Sequence, residues 1–428
     1  MTPKEQRIVE SDLNTLFSIK ALQVPTTIEE WQKIDFFHPM IKTERGDLPL
    51  SAKGIAALRR TTRIIQAIPA LKNLCSEREI ATQVHTSYEG WLRQRLQPDA
   101  REFIDGVQET LLATVKDHVH LVILEGVELI GLEKIQLGST TIVKADPAIL
   151  AGVEFGGYLS ADWIDKEFAN KMWLLGTTNG SPEVSRLRFE HRTMLTVGVL
   201  VVCGSLLYKG AIWRSHVRAL MTPEAQSAAV SVLRWEAGGT NPILSRASGN
   251  TVKLPFEVDS IRYLHENCFL DHLTTLIDRE ERSELQDAIV RALYWFADAH
   301  GDQNITMRFI KLWSCAECFF AISDTDVTEA NTRGMATILT FAGYKVWERS
   351  EYPQMKRRLK RLYDLRSRAV HRAEFGAVQT EDLEDFSQWI AWLIVSMAAL
   401  NQRGYQTLAA VKEQAVRLDG IVNRAYST

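Results

Sequence analysis

The stretch PQMKRRLKRLYDLRSRAVH, Pro353 to His371, decides how the C-terminal half of the chain is read. Leu359, Leu362, Leu365 and Ala369 recur at intervals of three and four, the spacing of an apolar stripe along one face of an α-helix. Pro353 suits a first helical turn, where the missing backbone N–H has no partner to lose. Arg357, Arg361, Arg368 and Arg372 recur along a second side of the same helix. Between Met355 and Arg372 stand eight Lys or Arg and one Asp. A local concentration of this kind can neutralise phosphates. The alternative is a solvated face balanced by Glu381, Asp382, Glu384 and Asp385 of the following segment.

Helical patterns continue on both sides of this stretch. SELQDAIVRALYWFADA, from Ser283, puts Leu285, Ile289, Ala292, Leu293 and Phe296 on one face. ITMRFIKLWSCAECFFAI, from Ile305, does the same with Ile305, Phe309, Leu312, Ala316 and Phe319 or Phe320. Arg333 to Val346 gives a third segment and the quoted stretch a fourth. EDLEDFSQWIAWLIVSMAALNQ is a fifth, with acidic residues in its first turn as the helix dipole favours. A sixth short helix ends the chain. Trp295, Trp313, Trp389 and Trp392 fall on apolar faces and read as core. An antiparallel bundle over residues 251–428 is the packing solution such a series points to.

Upstream the pattern changes. HVHLVILEGVEL and IQLGSTTIVKAD, from about residue 117, alternate, are rich in β-branched residues and are punctuated by Gly131 and Gly138, so they read as strands. WIDKEFANKMWLL and the apolar run Leu195 to Tyr208 read as short mixed segments. ILSRASGNTVKLPFE, with Gly249 and Pro255, reads as a loop or boundary. Residues 101–250 are therefore expected to form a mixed α/β domain. Residues 1–100 are expected to be helical, with Ser51 capping a helix that carries Ile55, Leu58, Ile64, Ile65 and Ile68, while Arg59, Arg60 and Arg63 give it a solvated face. The fold class expected is α+β, mostly α.

A chain of 428 residues exceeds one ordinary core, and an apolar fraction of 46% with 24% charged residues is that of a soluble globular protein. The net charge of −3 carries no global basic field. Five cysteines, Cys75, Cys203, Cys268, Cys315 and Cys318, make no disulfide framework. Cys315 and Cys318 lie in an apolar helix with no second cysteine pair, so no metal or other cofactor is expected. His118 and His120 share one face of a strand without acidic partners and read as structural or surface residues. The charged start MTPKEQRIVESDL has no apolar signal core, and the Leu195 run, broken by Gly198 and Gly204, falls short of the ~20 residues that cross a bilayer. A cytoplasmic protein without a membrane partner is the expectation. Nucleotide-binding glycine loops and the Gly-x-Ser-x-Gly nucleophile turn are absent from the sequence.

Chemistry centres on Arg366 and His371. Five positions on a regular helix amount to about 140° of rotation, so the two converge only if the helix loosens or ends between them. Gly376, just beyond, suits a helix end. The carbonyl end of a helix favours a cation, and imidazole is the side chain suited to proton transfer near neutrality.

LYDLRSRAVH, Leu362 to His371, resembles the signature of Apea-like HEPN domains. FIKLWSCAECFF, Phe309 to Phe320, resembles the family's earlier helix, in which a recurrent glutamate falls at the position of Glu317. The resemblance covers roughly residues 280–400. It implies a metal-independent endoribonuclease that works as a homodimer, with the two Arg-x4-His motifs meeting at the interface. By the same resemblance Arg366 would bind the scissile phosphate. His371 would be the general acid or base in attack by the RNA 2′-hydroxyl. Ser367, where the family often has Asn, would hydrogen-bond the phosphate or hold the histidine. Glu317 would orient Arg366 or His371. Arg357, Arg361, Arg368 and Arg372 would bind RNA, whether tRNA or mRNA. A variable region ahead of a terminal domain of this kind resembles anti-phage abortive-infection proteins and toxins, with residues 1–250 sensing a phage-derived trigger or restraining the nuclease. Two other readings stand beside this one. In the first the module is non-catalytic and binds RNA or a partner protein. In the second Arg366 and His371 only stabilise a dimer interface.

Overall fold

The computed structural model of the chain describes residues 1–34, 39–43, 46–150, 171–208, 216–221, 229–234, 243–248, 252–321, 327–374 and 376–426. The protein is mostly helical, with a mixed α/β middle and a helical C-terminal region. It divides into two compact units, residues 1–120 with 177–189, and residues 121–176 with 190–428.

The first unit is built on α1 (Pro3–Leu16), α3 (Ala52–Gln66), α4 (Glu77–Gln94) and α5 (Ala100–Ala113), with the short α2 (Ile28–Gln32) and the hairpin β1 (Met40–Thr43) and β2 (Gly46–Pro49) between α1 and α3. Each long helix starts on a side chain that accepts an otherwise orphaned backbone N–H: Thr2, Ser51, Ser76 and Asp99. At Thr2 and Ser76 a glutamate three residues on completes a capping box. Val9, Leu13, Ile65, Val84, Tyr88, Phe103 and Val107 fill the core between these helices. Ile55, Leu58 and Ile64 pack partly buried against it, while Arg59, Arg60 and Arg63 are exposed, Arg60 bonding Asp12 of α1.

The expected strands begin at Lys116, and β3 and β7 run across the division between the two units. The segments are β3 (Lys116–Glu125), β4 (Val127–Ile130), β5 (Lys134–Leu137), β6 (Thr140–Lys144) and β7 (Met172–Gly180), followed by the two-residue β8 (Arg218–Ala219). They form a five-stranded sheet in the order β5-β6-β7-β3-β8, with β4 outside it. Gly138 stands at φ +60° in the two-residue turn between β5 and β6, a conformation that twists a hairpin correctly and that a side chain resists.

Two readings of the sequence are corrected here. The run Leu195 to Tyr208 is no short segment, because most of it belongs to α6 (Pro182–Leu207), 26 residues long. Gly198 does not break this helix. A Cβ there would collide with the carbonyl oxygen of Leu293, so the glycine permits close packing against α9 (Glu284–Gly301). Gly198→Ala should therefore cost about 1–3 kcal/mol through overpacking, read as a lower midpoint of urea unfolding. An unchanged midpoint would mean that the two helices separate freely. Among the described residues α6 is the one helix long and apolar enough to cross a membrane, and 67% of its apolar window is buried inside the fold, as in the core helix of a soluble protein.

ILSRASGNTVKLPFE is likewise no loop. It holds β10 (Ile243–Ser248), paired antiparallel with β9 (Ala229–Arg234), and β11 (Leu254–Glu257), paired parallel with β4. Pro255 fits because β11 belongs to a two-stranded sheet, where one side of a strand needs no partner. In WIDKEFANKMWLL the part from Met172 is the start of β7, and residues 163–170 lie outside the described residues.

From Val258 the chain is helical: α7 (Val258–Asn267), α8 (Leu270–Asp278), α9, α10 (Ile305–Phe320), α11 (Val327–Phe341), α12 (Tyr352–Arg372), α13 (Thr380–Gln402) and α14 (Leu408–Tyr426). Helices α9, α11, α12 and α13 pack around α10, and α11 packs on α12 and α14. Leu285, Ile289, Ala292, Leu293 and Phe296 of α9 are buried, as are Phe309, Leu312, Ala316, Phe319 and Phe320 of α10 and the whole stripe of α12. Ile305 is the exception at 40% exposure, since it opens α10 where the helix has not yet entered the core.

Candidate functional site

Helix α10 presents Trp313 and Glu317, one turn apart, toward Tyr363 and Arg366 of α12. The spacings i, i+4 and i, i+3 place each pair on one helix face. Trp313 is fully buried. The Tyr363 ring meets it edge-on at 4.9 Å, and Phe386 of α13 lies 4.5 Å from it on another side. This aromatic floor fixes the height of the polar layer above it.

In that layer Arg366 Nη2 donates to Glu317, 3.0 Å from Oε1 and 3.1 Å from Oε2. Tyr363 Oη donates to Glu317 Oε1 at 3.3 Å, and the Arg366 guanidinium carbon lies 5.6 Å from the centre of the Tyr363 ring. Arg366 and Glu317 keep only 18% and 20% of their side-chain surface exposed. Burial pushes the Glu317 carboxyl above the usual carboxylate range, against the pull of the Arg366 charge and the Tyr363 hydrogen bond. Burial, with the neighbouring Glu317 charge, pushes the Tyr363 hydroxyl up. Arg366 Nε is buried and, among the described residues, has no partner.

His371 stands elsewhere. Helix α12 does not loosen between Arg366 and His371. It continues through Arg372 and closes on Ala373 at φ +53°. The helix thus ends three residues before Gly376, which itself stands at φ +96°. Within one chain the two residues therefore remain about 140° apart around the helix. Arg366 turns inward to α10, whereas His371, in the last turn, is exposed and makes no hydrogen bond or ion pair among the described residues. Ser367 is half-buried, and its hydroxyl has no partner among the described residues. Glu317 meets Arg366 and does not meet His371.

The basic stripe is partly neutralised. Arg361 pairs with Asp382 at 2.6 Å and Arg358 with Asp385 at 2.7 Å, the Arg358 guanidinium also lying 4.7 Å from the Trp389 ring centre. Arg368 and Arg372 share Glu374 at 3.5 and 3.9 Å. Arg357 and Lys360 are exposed and unpaired among the described residues. The acidic balance considered from sequence is thus present, supplied by Asp382 and Asp385 for Arg358 and Arg361 and by Glu374 for the last turn. The Glu374 pairs are exposed at both ends, and such pairs are worth about 0–1 kcal/mol, so a polyanion can displace them.

Tyr363 is the member of this site that sequence reasoning passed over. Its position three residues before Arg366, inside the LYDL run, was the available signal. The other candidates are structural in kind. Cys315 is buried in α10, where burial drives its thiol well above the ordinary range. His120 bonds Ser185 Oγ at 2.8 Å and stacks on Phe189 at 4.8 Å. Among the described residues no group of three or more His, Cys, Asp and Glu side chains is arranged to hold a metal ion.

Set against family models, curated proteins and solved structures, this chain matches none.

Proposed function

We propose that the C-terminal helical region is a HEPN-type endoribonuclease that needs no metal, in a cytoplasmic bacterial anti-phage defence or toxin system. The observation that carries this reading is the layer of Glu317, Tyr363 and Arg366, which holds a guanidinium at the edge of a helical core on the same helix as a histidine that is exposed and unpartnered among the described residues.

Each part has a chemical task. Glu317 occupies Nη2 of Arg366 and leaves other N–H donors of the guanidinium for a phosphate. A fixed positive group beside a phosphate stabilises the charge that builds as the 2′-hydroxyl attacks. His371 takes the proton of that hydroxyl and can return one to the departing 5′-oxygen, so the products are a 2′,3′-cyclic phosphate and a free 5′-hydroxyl. Since one helix cannot bring Arg366 and His371 together, the site is completed by a second copy of the chain, the Arg366 of one protomer working with the His371 of its partner. Arg357, Arg361, Arg368 and Arg372 guide the RNA strand. The N-terminal portion restrains the nuclease or senses a phage-derived trigger.

The pairing of Arg358 and Arg361 with Asp382 and Asp385 favours a second reading, a non-catalytic module that binds RNA or a partner protein. Purified full-length protein on total tRNA and on a mixed-sequence RNA, with EDTA present, separates the two. Cleavage that persists in EDTA, from a protein that light scattering shows to be a dimer, is the expected result. RNA binding without cleavage would move the assignment to the second reading.

A further inference from the structure

We infer that the C-terminal unit carries a separate binding site for a small aromatic zwitterion of the size of a free amino acid. The site is the cavity between the end of α7, the turn after α11 and the last turns of α13. Its volume is about 240 Å³, just under the ~300–1,000 Å³ of sites for drug-sized ligands, so its occupant is small.

Two aromatic side chains wall it. Phe269 and Tyr344 meet edge-on with ring centres 6.4 Å apart, and Trp392 backs Tyr344 at 5.0 Å. Tyr344 Oη donates to the backbone oxygen of Asn267 at 2.6 Å, which ties the walls together. Phe269 holds its ring there from a left-handed backbone, φ +54°, that bulky residues seldom adopt. Leu400 supplies an apolar surface.

Part of the polar lining is unspent. Ser396 is 1% exposed and lines the cavity, and its hydroxyl has no hydrogen-bond partner among the described residues. A buried hydroxyl left unpaired in this way asks for a partner from a ligand. At the rim stand Arg403 and Glu266, both exposed, neither ion-paired with the other nor with any other described residue. One guanidinium, one carboxylate and one hydroxyl around an aromatic slot match a molecule with a carboxylate, an ammonium and an aromatic ring. Arg403 takes the carboxylate, Glu266 the ammonium, and Phe269 and Tyr344 the ring. None of these residues belongs to the Arg366 layer, so the inference stands apart from the ribonuclease reading.

Titration of the full-length protein with L-phenylalanine tests it, with phenylacetate and phenethylamine as probes that lack one charge each. Saturable binding of L-phenylalanine at millimolar concentration or below is expected, with both analogues weaker. Arg403→Ala, at an exposed position that the fold does not need, should weaken L-phenylalanine by at least ~10-fold, the loss of one charged pair, and Ser396→Ala by less. The assignment is overturned if L-phenylalanine does not saturate, if Arg403→Ala leaves its affinity unchanged, or if phenylacetate binds as tightly.

Discussion

His371→Ala is expected to lower RNA cleavage by about 10²–10⁴-fold, the usual worth of a positioned general acid or base, while leaving the thermal midpoint where it was. The two halves of this expectation rest on different facts. The loss of rate follows if His371 carries the proton of the 2′-hydroxyl. The unchanged midpoint follows from its surroundings, because the imidazole is exposed and bonds to nothing among the described residues. Substitutions at such positions stay within about 0.5 kcal/mol of neutral. Melting curves and initial cleavage rates on one preparation give both readings. A drop in midpoint with equal residual cleavage would assign His371 to an interface and take it out of the chemistry. Mixing His371→Ala protein with Arg366→Ala protein adds a check on the shared site, since a mixed dimer regains one intact combination of Arg366 and His371. Absence of any rescue would show that each chain works alone.

How much of this was legible beforehand depended on whether a residue's partners lay close in sequence. The apolar stripe of α12 could be read from its spacing, because helical burial repeats locally: Leu359, Leu362, Leu365 and Ala369 are all in the core. Ser51, three residues before the N–H it accepts, was legible for the same reason. Where partners were remote, local reading misled. Gly198 looked like an interruption because nothing nearby reveals that Leu293 must pack against that bare backbone. Leu254–Glu257 looked like a loop because its parallel partner, Val127–Ile130, lies more than a hundred residues upstream. In the candidate site the family resemblance singled out Glu317 but left open whether it meets Arg366 or His371, and it meets Arg366; charge spacing alone grouped the arginines as one patch and did not show which acidic residue takes each. The condition for Arg366 and His371 to converge, a helix that loosens or ends between them, is not met, since SRAVH contains neither glycine nor proline and the helix runs on to Arg372, with His371 in its last turn.

Arg366→Ala should cost stability in a pH-dependent way that no merely exposed arginine would show. Removing it leaves Glu317 with 20% of its surface exposed, its carboxyl already pushed upward by burial, and, among the described residues, only the Tyr363 hydroxyl as hydrogen-bond partner. Breaking a buried pair from one side costs about 3–5 kcal/mol when the remaining charge is trapped. Glu317 has an escape, which is to bind a proton. The price of that at pH 7, for a carboxyl that titrates near 4.3 when unfolded, is roughly 3–4 kcal/mol and sets the ceiling. The sign follows directly. A carboxyl raised in the folded state leaves stability intact below its unfolded value and erodes it as pH climbs through its folded value. The deficit of Arg366→Ala should therefore be about 2–3 kcal/mol at pH 7, within that ceiling, and should shrink toward pH 5. Adding Glu317→Gln to Arg366→Ala removes the trapped charge, so the double variant should be more stable at pH 7 than Arg366→Ala alone and lose the pH dependence. Urea unfolding of the two variants and the parent at both pH values decides it. A deficit of equal size at pH 5 and pH 7 would mean that Arg366 stabilises the fold through packing on Tyr363, and the carboxylate would then not be what holds the guanidinium ready for a phosphate.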